Sequence, residues 1–165
     1  MNHKLLRKMK HRLLDAPITI REAALDDLFS MTELLSELFN IEADFTPNLA
    51  HQREGLAALM ASRNCTLLVA VSQCQIVGMC TLQPLISTAE GGAVGMVEDL
   101  IVAEKFRHRG VGLKLLQGIE QVAQERGMLR LQLLTDKDEI TETFFNKTGW
   151  KPTQLIVKRK LLRQE

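Results

Sequence analysis

Apolar residues recur every three or four positions in several stretches of the chain, the spacing that gathers them on one face of an α-helix. In the first stretch, residues 1–16, the other face is basic and Pro17 ends the pattern. A second stretch follows Asp26, a residue type that caps helix N-termini, and continues to Leu38. In all, the pattern predicts helices over 1–16, 26–38, 49–62, 113–126 and 139–147. Gly127 directly follows the fourth of these helices and Gly149 closes the fifth, as C-terminal glycines do.

Runs rich in β-branched residues and leucine have the length of strands and alternate with these helices. The segment Ser72 to Gln75 suits a hairpin turn, and residues 83–92, with Pro84 and two glycines, are predicted as a loop. The strands are predicted over 18–20, 66–71, 76–82, 94–102, 129–135 and 155–161. Antiparallel strands followed by strand, helix, strand, helix, strand indicate a mixed α/β fold of the α+β kind.

Length and composition fit one soluble domain. The chain has 165 residues, which is too short for two large domains. Of these residues 45% are hydrophobic and 25% charged, a composition unlike that of disordered chains. We expect a single domain over 17–165, preceded by the basic amphipathic helix of 1–16. That helix is expected to pack on the domain or on a second subunit, which leaves a homodimer open; the alternative is contact with an anionic surface.

Charge and cysteine content exclude several classes of protein. The formal net charge is +1, which gives no case for a nucleic-acid partner. The three cysteines lack CxxC or Cys/His ligand spacing, so neither a disulfide framework nor a metal site is expected. No apolar run approaches the roughly 20 residues that span a bilayer, and the basic N-terminus is not followed by a signal-type segment. We therefore expect a cytoplasmic protein without a membrane partner.

One segment has a strong charge bias. Between Glu22 and Gln52 there are seven acidic residues and no lysine or arginine. A solvated helix face explains this bias. The alternative is a negative surface that attracts a cationic partner.

The segment 98–114 contains the candidate chemistry. An apolar strand leads through Arg107, His108 and Arg109 into Gly110 and Gly112 at the start of the helix predicted near 113. Unpaired backbone N–H groups at a helix N-terminus, beside cationic side chains, favour a phosphate or pyrophosphate. A glycine there keeps a β-carbon from blocking the amides.

Three phosphate-binding motifs compete for this loop. A Walker loop requires four residues between its glycines, whereas Gly110 and Gly112 are separated by one. A dinucleotide fingerprint requires a small residue where this chain has Leu115, although Asp136 is placed like a ribose-binding acid. The third pattern, Arg/Gln-x-x-Gly-x-Gly/Ala, is matched from Arg107 to Gly112.

With that match the chain resembles the GCN5-related N-acetyltransferase (GNAT) family, whose co-substrate is acetyl-coenzyme A. The resemblance covers about 18–162: an opening strand at 18–23, Val77-Gly78 on a central strand, the loop, and the segment 144–150 with Gly149 and Trp150. It implies a central, mostly antiparallel sheet with a splayed parallel pair, flanked by helices.

The resemblance also implies which residues bind the co-substrate. Leu100, Ile101 and Val102 would offer backbone groups to the pantetheine arm, besides being core residues. The pyrophosphate loop would consist of Arg107, His108, Arg109, Gly110, Val111, Gly112 and Leu113. The residues beside the thioester would be Asp138, Thr141, Phe144 and Phe145.

Acetyl transfer to an amine requires a neutral nitrogen, yet an alkylammonium group has a pKa near 10.4, so a base must accept a proton. Glu98 matches the family's frequent general-base position. The alternative for Glu98 is a structural ion pair. Asp99 is predicted to point to the opposite face of the strand, because strand side chains alternate.

The chain has no tyrosine, and Phe145 stands where many family members place the tyrosine that protonates the leaving thiolate. Three hypotheses follow. The first is an N-acetyltransferase acting on a small cationic amine or a protein amine. The second is an acyl-CoA-binding regulatory module with little turnover, and the third is a nucleotide-binding oxidoreductase fragment.

Overall fold

The computed structural model describes residues 16–135 and 138–162. The basic helix predicted over 1–16 lies, apart from Ala16, outside the described residues. The described residues form two compact units, which divide between Leu134 and Thr135.

The first unit is a five-stranded sheet covered by helices. Its strands are β1 (Thr19–Glu22), β2 (Thr66–Ser72), β3 (Gln75–Ser87), β4 (Gly92–Val102) and β5 (Leu131–Leu133). They lie in that order, antiparallel except for the parallel pair β4 and β5. The helices of this unit are α1 (Leu28–Ile41), α2 (Leu49–Ala61) and α3 (Val111–Glu125). This is the mixed, mostly antiparallel fold that the sequence predicts.

The core lies on both faces of the sheet. On one face, Met31 and Leu35 of α1 and Leu56 of α2 pack in one cluster with Leu67 and Val69 of β2. On the other face lies the apolar stripe of α3, whose members are Leu115, Leu116, Ile119 and Ala123. A strand covered on both faces is buried along its length, as β2 is.

Gly78 of β3 is required by the close packing of α3. A β-carbon at this position would lie 2.9 Å from the Ile101 carbonyl oxygen and 3.2 Å from Leu115 Cδ1. Any larger residue would therefore push α3 away from the sheet.

The hairpin turn predicted over Ser72 to Gln75 is confirmed, whereas the predicted cap of α1 was wrong. The hairpin between β2 and β3 turns at Gln73 and Cys74, both with positive φ (47° and 64°), as in a two-residue primed turn. Asp26 does not cap α1; instead the Asp27 carboxylate accepts a hydrogen bond from the Ala24 N–H at 2.7 Å. The same carboxylate is held by the Arg21 guanidinium in two hydrogen bonds of 2.6 and 2.9 Å.

The loop predicted over 83–92 was wrong, because β3 continues to Ser87 and pairs with β4 as far as Ser87 opposite Gly92. Pro84 lies opposite Gly95 within this ladder. Proline removes one N–H donor, but paired residues on both sides keep the strand in register.

The second unit holds α4 (Glu139–Lys147), with bounds as predicted. The Asp138 carboxylate caps it by accepting hydrogen bonds from the Ile140 and Thr141 N–H groups at 3.0 and 2.9 Å. The helix is followed by Gly149, whose φ of 91° lies in the left-handed region. The strand predicted over 155–161 was wrong: these residues have no regular secondary structure, and Leu155 is 87% exposed. Alternating apolar residues form a strand only where a neighbouring strand pairs with them, and no such pairing exists in the described chain.

Candidate active site

Strands β4 and β5 separate partway along their length. They pair only from Gly95 opposite Leu131 to Val97 opposite Leu133, whereas β4 stays paired with β3 as far as Val102. Residues 98–102 therefore lack a strand partner on the β5 side within the described chain. The predicted pantetheine-binding residues Leu100, Ile101 and Val102 lie in this open segment. Backbone groups without a ladder partner suit a ligand that itself carries amide groups.

A β-bulge interrupts β4 at the beginning of the open segment. Met79 lies opposite Ile101 but Thr81 lies opposite Glu98, so β4 contains one extra residue here. Asp99 lies at the bulge, and its backbone is in the left-handed conformation, with φ of 54°. The bulge breaks side-chain alternation. The prediction that Glu98 and Asp99 point to opposite faces was therefore wrong, since both line one cleft.

This cleft has a volume of about 630 Å³ and lies between α1, α2 and the bulge. Its walls are largely apolar, with Leu35 and Phe39 from α1 and Leu56 and Leu59 from α2. The Phe45 ring meets the Phe39 ring with centroids 5.1 Å apart. Polar side chains lie at several points of the wall: Thr46, Asn48, His51, Gln52, Gln83, Glu98 and Asp99.

The two carboxylates in the cleft differ in their hydrogen-bond partners. Glu98 Oε2 accepts a hydrogen bond of 2.6 Å from Gln83 Nε2. Asp99 Oδ2 lies 2.9 Å from Thr81 Oγ1, and Thr81 is fully buried. Burial raises the pKa of Asp99 to about 6; the Thr81 hydroxyl opposes this rise and the negative charge of Glu98 adds to it. Glu98 is thus held in place by an amide, while Asp99 is a carboxylate that binds a proton unusually well.

Next to the bulge, the Cys80 thiol is buried on β3 and contacts the Glu98 carbonyl oxygen at 3.7 Å. Burial is the main cause that raises the pKa of this thiol, and the charge of Asp99 adds to it. The thiol therefore stays protonated and is not a nucleophile.

The predicted pyrophosphate loop has the conformation of an anion site. His108 and Gly110 have positive φ values of 59° and 76°, and α3 begins at Val111 without a side-chain cap. The first backbone hydrogen bond of the helix is donated by the Lys114 N–H to the Gly110 carbonyl, so the N–H groups of 111–113 stay available. A β-carbon on Gly110 would meet no atom within 4 Å, so the space next to this residue is open.

Arg107 makes two contacts within the protein, and its role toward a pyrophosphate stays a prediction. Its Nε donates to the Val102 carbonyl at 2.9 Å, and its Nη2 lies 3.9 Å from Glu37 Oε2 on α1. The side chain therefore joins the end of β4 to the loop that follows it. The remainder of the predicted phosphate site consists of the backbone and side chains of His108 and Arg109, followed by Gly110, Val111, Gly112 and Leu113.

The predicted thioester-side residues Asp138, Thr141, Phe144 and Phe145 belong to the second unit. Hydrogen bonding to Thr141 is the main cause that lowers the pKa of Asp138, the N-cap of α4. Phe145 packs edge-on against Phe144 and Trp150, with ring centroids 5.2 and 6.1 Å apart. Their role toward a co-substrate stays a prediction.

None of the acidic residues between Glu22 and Gln52 lines the cleft. Asp27 is paired with Arg21, and Glu37 lies near Arg107. The negative charge in the cleft comes from Glu98 and Asp99 instead, and the effect of the acidic segment at longer range stays a prediction.

Sequence reasoning missed Thr81, Gln83 and Gln52. Thr81 and Gln83 interrupt an apolar strand two residues apart, which is a visible signal. Their importance depends on pairing with Glu98 across a bulge, however, and the sequence does not show that register.

No helix in residues 16–135 and 138–162 is long and apolar enough to cross a membrane. Over the same ranges there is no group of three or more His, Cys, Asp or Glu side chains arranged to hold a metal ion.

Comparison with known proteins agrees with this geometry. The model of the acetyltransferase (GNAT) family matches residues 29–150. The chain is 26% identical over 133 residues to an aminoalkylphosphonate N-acetyltransferase of Salmonella typhimurium, which covers 80% of this chain and 84% of the relative.

Solved structures show the same fold. An acetyltransferase of Trypanosoma brucei superposes with a TM-score of 0.70 at 24% identity, covering 88% of this chain and 100% of that one. A predicted acetyltransferase of Clostridium acetobutylicum, solved with acetyl-CoA, gives 0.74 at 17% identity, covering 88% and 97%. With the family model matched from α1 to Trp150, and the splayed strand and glycine loop both in place, the chain belongs to the GNAT family of acetyl-CoA-dependent acetyltransferases.

Proposed function

We propose that this acetyltransferase moves the acetyl group of acetyl-CoA to a small cationic primary amine bound in the cleft between α1, α2 and the β4 bulge. The observation that carries the proposal is the pair of carboxylates, Glu98 and Asp99, which the bulge turns into one largely apolar cleft. Carboxylates in such surroundings attract an ammonium group more strongly than they would in water.

The same bulge begins the segment of β4 that is open toward β5. The co-substrate would lie along Leu100 to Val102, with its pyrophosphate on the amides of 111–113 and beside His108 and Arg109. The thioester would then end near the carboxylates, because both the pantetheine segment and Glu98 belong to one short stretch of β4. The roles of Asp138, Thr141, Phe144 and Phe145 toward the thioester stay predictions from the resemblance to the family.

An ammonium acceptor loses two protons in the reaction, one before its nitrogen attacks the thioester and one after the C–N bond forms. We assign Glu98 as the proton acceptor, held in position by Gln83. Asp99, whose pKa of about 6 lies nearer to neutral pH than that of an ordinary aspartate, holds the ammonium group and relays the proton to water. The neutral nitrogen attacks the thioester carbonyl carbon, the new C–N bond forms and the C–S bond breaks. The nitrogen then loses its second proton to water and the thiolate takes one up, so one proton is released overall.

The leaving thiolate must take up a proton, and the chain offers no tyrosine for this step. A thiol has an ordinary pKa near 8.5, so its thiolate leaves without a strong acid and takes its proton from water. The absence of the phenol therefore predicts a slower reaction instead of an inactive protein.

The charge of the cleft bears on the acceptor. The similar Salmonella protein is named for aminoalkylphosphonates, which carry an amine and an anionic group. Within the part of the chain that the structure describes, the residues that line this cleft include two carboxylates and no lysine or arginine. We therefore propose an acceptor without a strongly anionic group.

The test is release of CoA from acetyl-CoA in the presence of single amines: n-pentylamine, a diamine, and 2-aminoethylphosphonate. We expect turnover with the first two at higher kcat/KM than with the phosphonate. Glu98→Gln should lower kcat/KM by about 10²–10⁴-fold at neutral pH, with partial recovery at high pH where more amine is neutral. Glu33→Gln, at an exposed position on α1, is the matched control and should behave as wild type.

Binding of acetyl-CoA without turnover of any amine would overturn the proposal in favour of the acyl-CoA-binding module. If Glu98→Gln leaves the pH–rate profile unaltered and Asp99→Asn removes the acidic limb of that profile, then Asp99 is the general base instead of Glu98.

A further inference from the structure

The Gln52 side chain on α2 is buried and lines the cleft, with 6% of the residue exposed. Its Oε1 accepts a hydrogen bond of 2.9 Å from Ser36 Oγ on α1. Its Nε2 is buried and has no hydrogen-bond partner among the described residues. One end of the carboxamide is therefore fixed, and the other end presents two unused donor hydrogens.

Buried amide donors in folded proteins are almost always paired, so an exception calls for an explanation. The hydroxyls of Thr66 and Ser72 are also buried and unpaired in the described chain, but neither residue lines the cleft. Gln52 alone combines an unused buried donor with a place in the cleft wall.

The remaining chemistry of the cleft defines what kind of atom this donor would meet. Glu98 and Asp99 provide the sites for an ammonium group. The rings of Phe39 and Phe45 provide an apolar wall. Among the described residues no arginine or lysine lines the cleft, and His51 is the one side chain there that can carry a positive charge, so an anionic oxygen would find little counter-charge, whereas a neutral one needs only a donor.

We propose that Gln52 is a specificity-determining residue that donates a hydrogen bond from Nε2 to a neutral oxygen of the amine acceptor. This inference rests on the proposed function and narrows its substrate class to primary amines that also carry a hydroxyl, ether or carbonyl oxygen. Nε2 is shielded from bulk water, so an acceptor without the oxygen leaves the donor unpaired, and discrimination against it is strong. Small side-chain shifts, which are common on binding, bring the two atoms together.

The test uses three amines of matched length: 4-aminobutan-1-ol, 3-methoxypropylamine and n-pentylamine. In wild-type enzyme kcat/KM, measured by CoA release, should be at least about tenfold higher for each oxygen-bearing amine than for n-pentylamine. In Gln52→Met, which keeps the length of the side chain and removes the donor, the ratio should fall to within about twofold of one. Gln121→Met, the same change at an exposed position on α3, is the control and should keep the wild-type ratio.

A wild-type ratio near one, or a high ratio that persists in Gln52→Met, would overturn the inference while leaving the acetyltransferase proposal intact. Failure of all three amines to react, while acetyl-CoA binds, would overturn both. If Gln52→Met does not fold, as judged by circular dichroism, Gln52→Leu replaces it, because leucine also fills an apolar site and has no hydrogen-bond donor. The ratio should fall in the same way, and its persistence would count against the inference.

Discussion

Replacing Asp99 with asparagine should make the protein more stable at neutral pH although it removes a proposed active-site carboxylate. In the folded protein the pKa of Asp99 is raised by burial to about 6, against an ordinary value of 3.8. The folded state thus binds this proton more tightly than the unfolded state does. The free energy of unfolding therefore falls as the pH rises from about 4 to about 6.

The size of this effect follows from the shift. A rise from 3.8 to about 6 is about two pKa units, which corresponds to about 3 kcal/mol of lost stability once Asp99 is ionised. Asparagine is a good test residue because it tolerates the left-handed backbone at this position, where φ is 54°. Its amide oxygen can still accept the hydrogen bond from Thr81.

The assay is urea unfolding of wild type and Asp99→Asn at pH 4, 5, 6 and 7. The variant should be more stable by up to about 3 kcal/mol at pH 7, and the difference should shrink to below about 1 kcal/mol at pH 4. Asp26→Asn, at an exposed position, is the matched control and should show no such trend. A variant that is less stable than wild type at pH 7, or a difference independent of pH, would refute the reasoning.

Three further predictions concern the co-substrate and the charge of the acceptor. Gly110→Trp should weaken acetyl-CoA binding, measured by calorimetry, by at least about 100-fold. We expect the large side chain to occupy the open space next to this residue and keep the pyrophosphate from the amides of 111–113. Unchanged affinity in a folded variant would contradict the pyrophosphate site. Phe145→Tyr should leave kcat unchanged or raise it, since a phenol can protonate the thiolate; a sharp fall would show that the position serves packing alone. For a cationic acceptor kcat/KM should fall as the salt concentration rises from about 0.02 to about 0.5 M, and it should fall more than kcat/KM for acetyl-CoA does. The reason is that attraction by carboxylates is screened over about 8–10 Å at physiological salt. A kcat/KM that does not depend on salt would show that the acidic surface is only solvated.

Much of the fold can be predicted from the sequence because its elements are marked locally. The stripe of α3 and the left-handed Gly127 after it define that helix, and Asp138 and Gly149 mark the beginning and end of α4. The glycine loop is predictable for the same reason, since its spacing and its position between a strand and a helix are both visible in the sequence.

The arrangement of the cleft is not predictable in this way. One extra residue in β4 decides that Asp99 lies in the same cleft as Glu98, and alternation alone predicts the opposite. The partners Gln83 and Thr81 come from another strand, so their distance from the carboxylates depends on register. The strand predicted over 155–161 fails for a related reason, since a strand needs a partner that its own sequence does not specify.

The β2–β3 hairpin has a chemical consequence of its own. Cys74 is exposed at the tip of this turn, whereas Cys80 is buried with its thiol protonated. A disulfide-type colour reagent used to follow CoA release will therefore also label the enzyme at Cys74, and each protein molecule will add a background signal. Glycine adopts the φ of 64° at this position without a steric penalty, so Cys74→Gly removes the reactive group and relaxes the turn in one change. Conversely, the same thiol is the most exposed of the three cysteines, and with the partly exposed Cys65 replaced it gives a handle for attaching the enzyme to a surface or a dye at a turn outside the cleft.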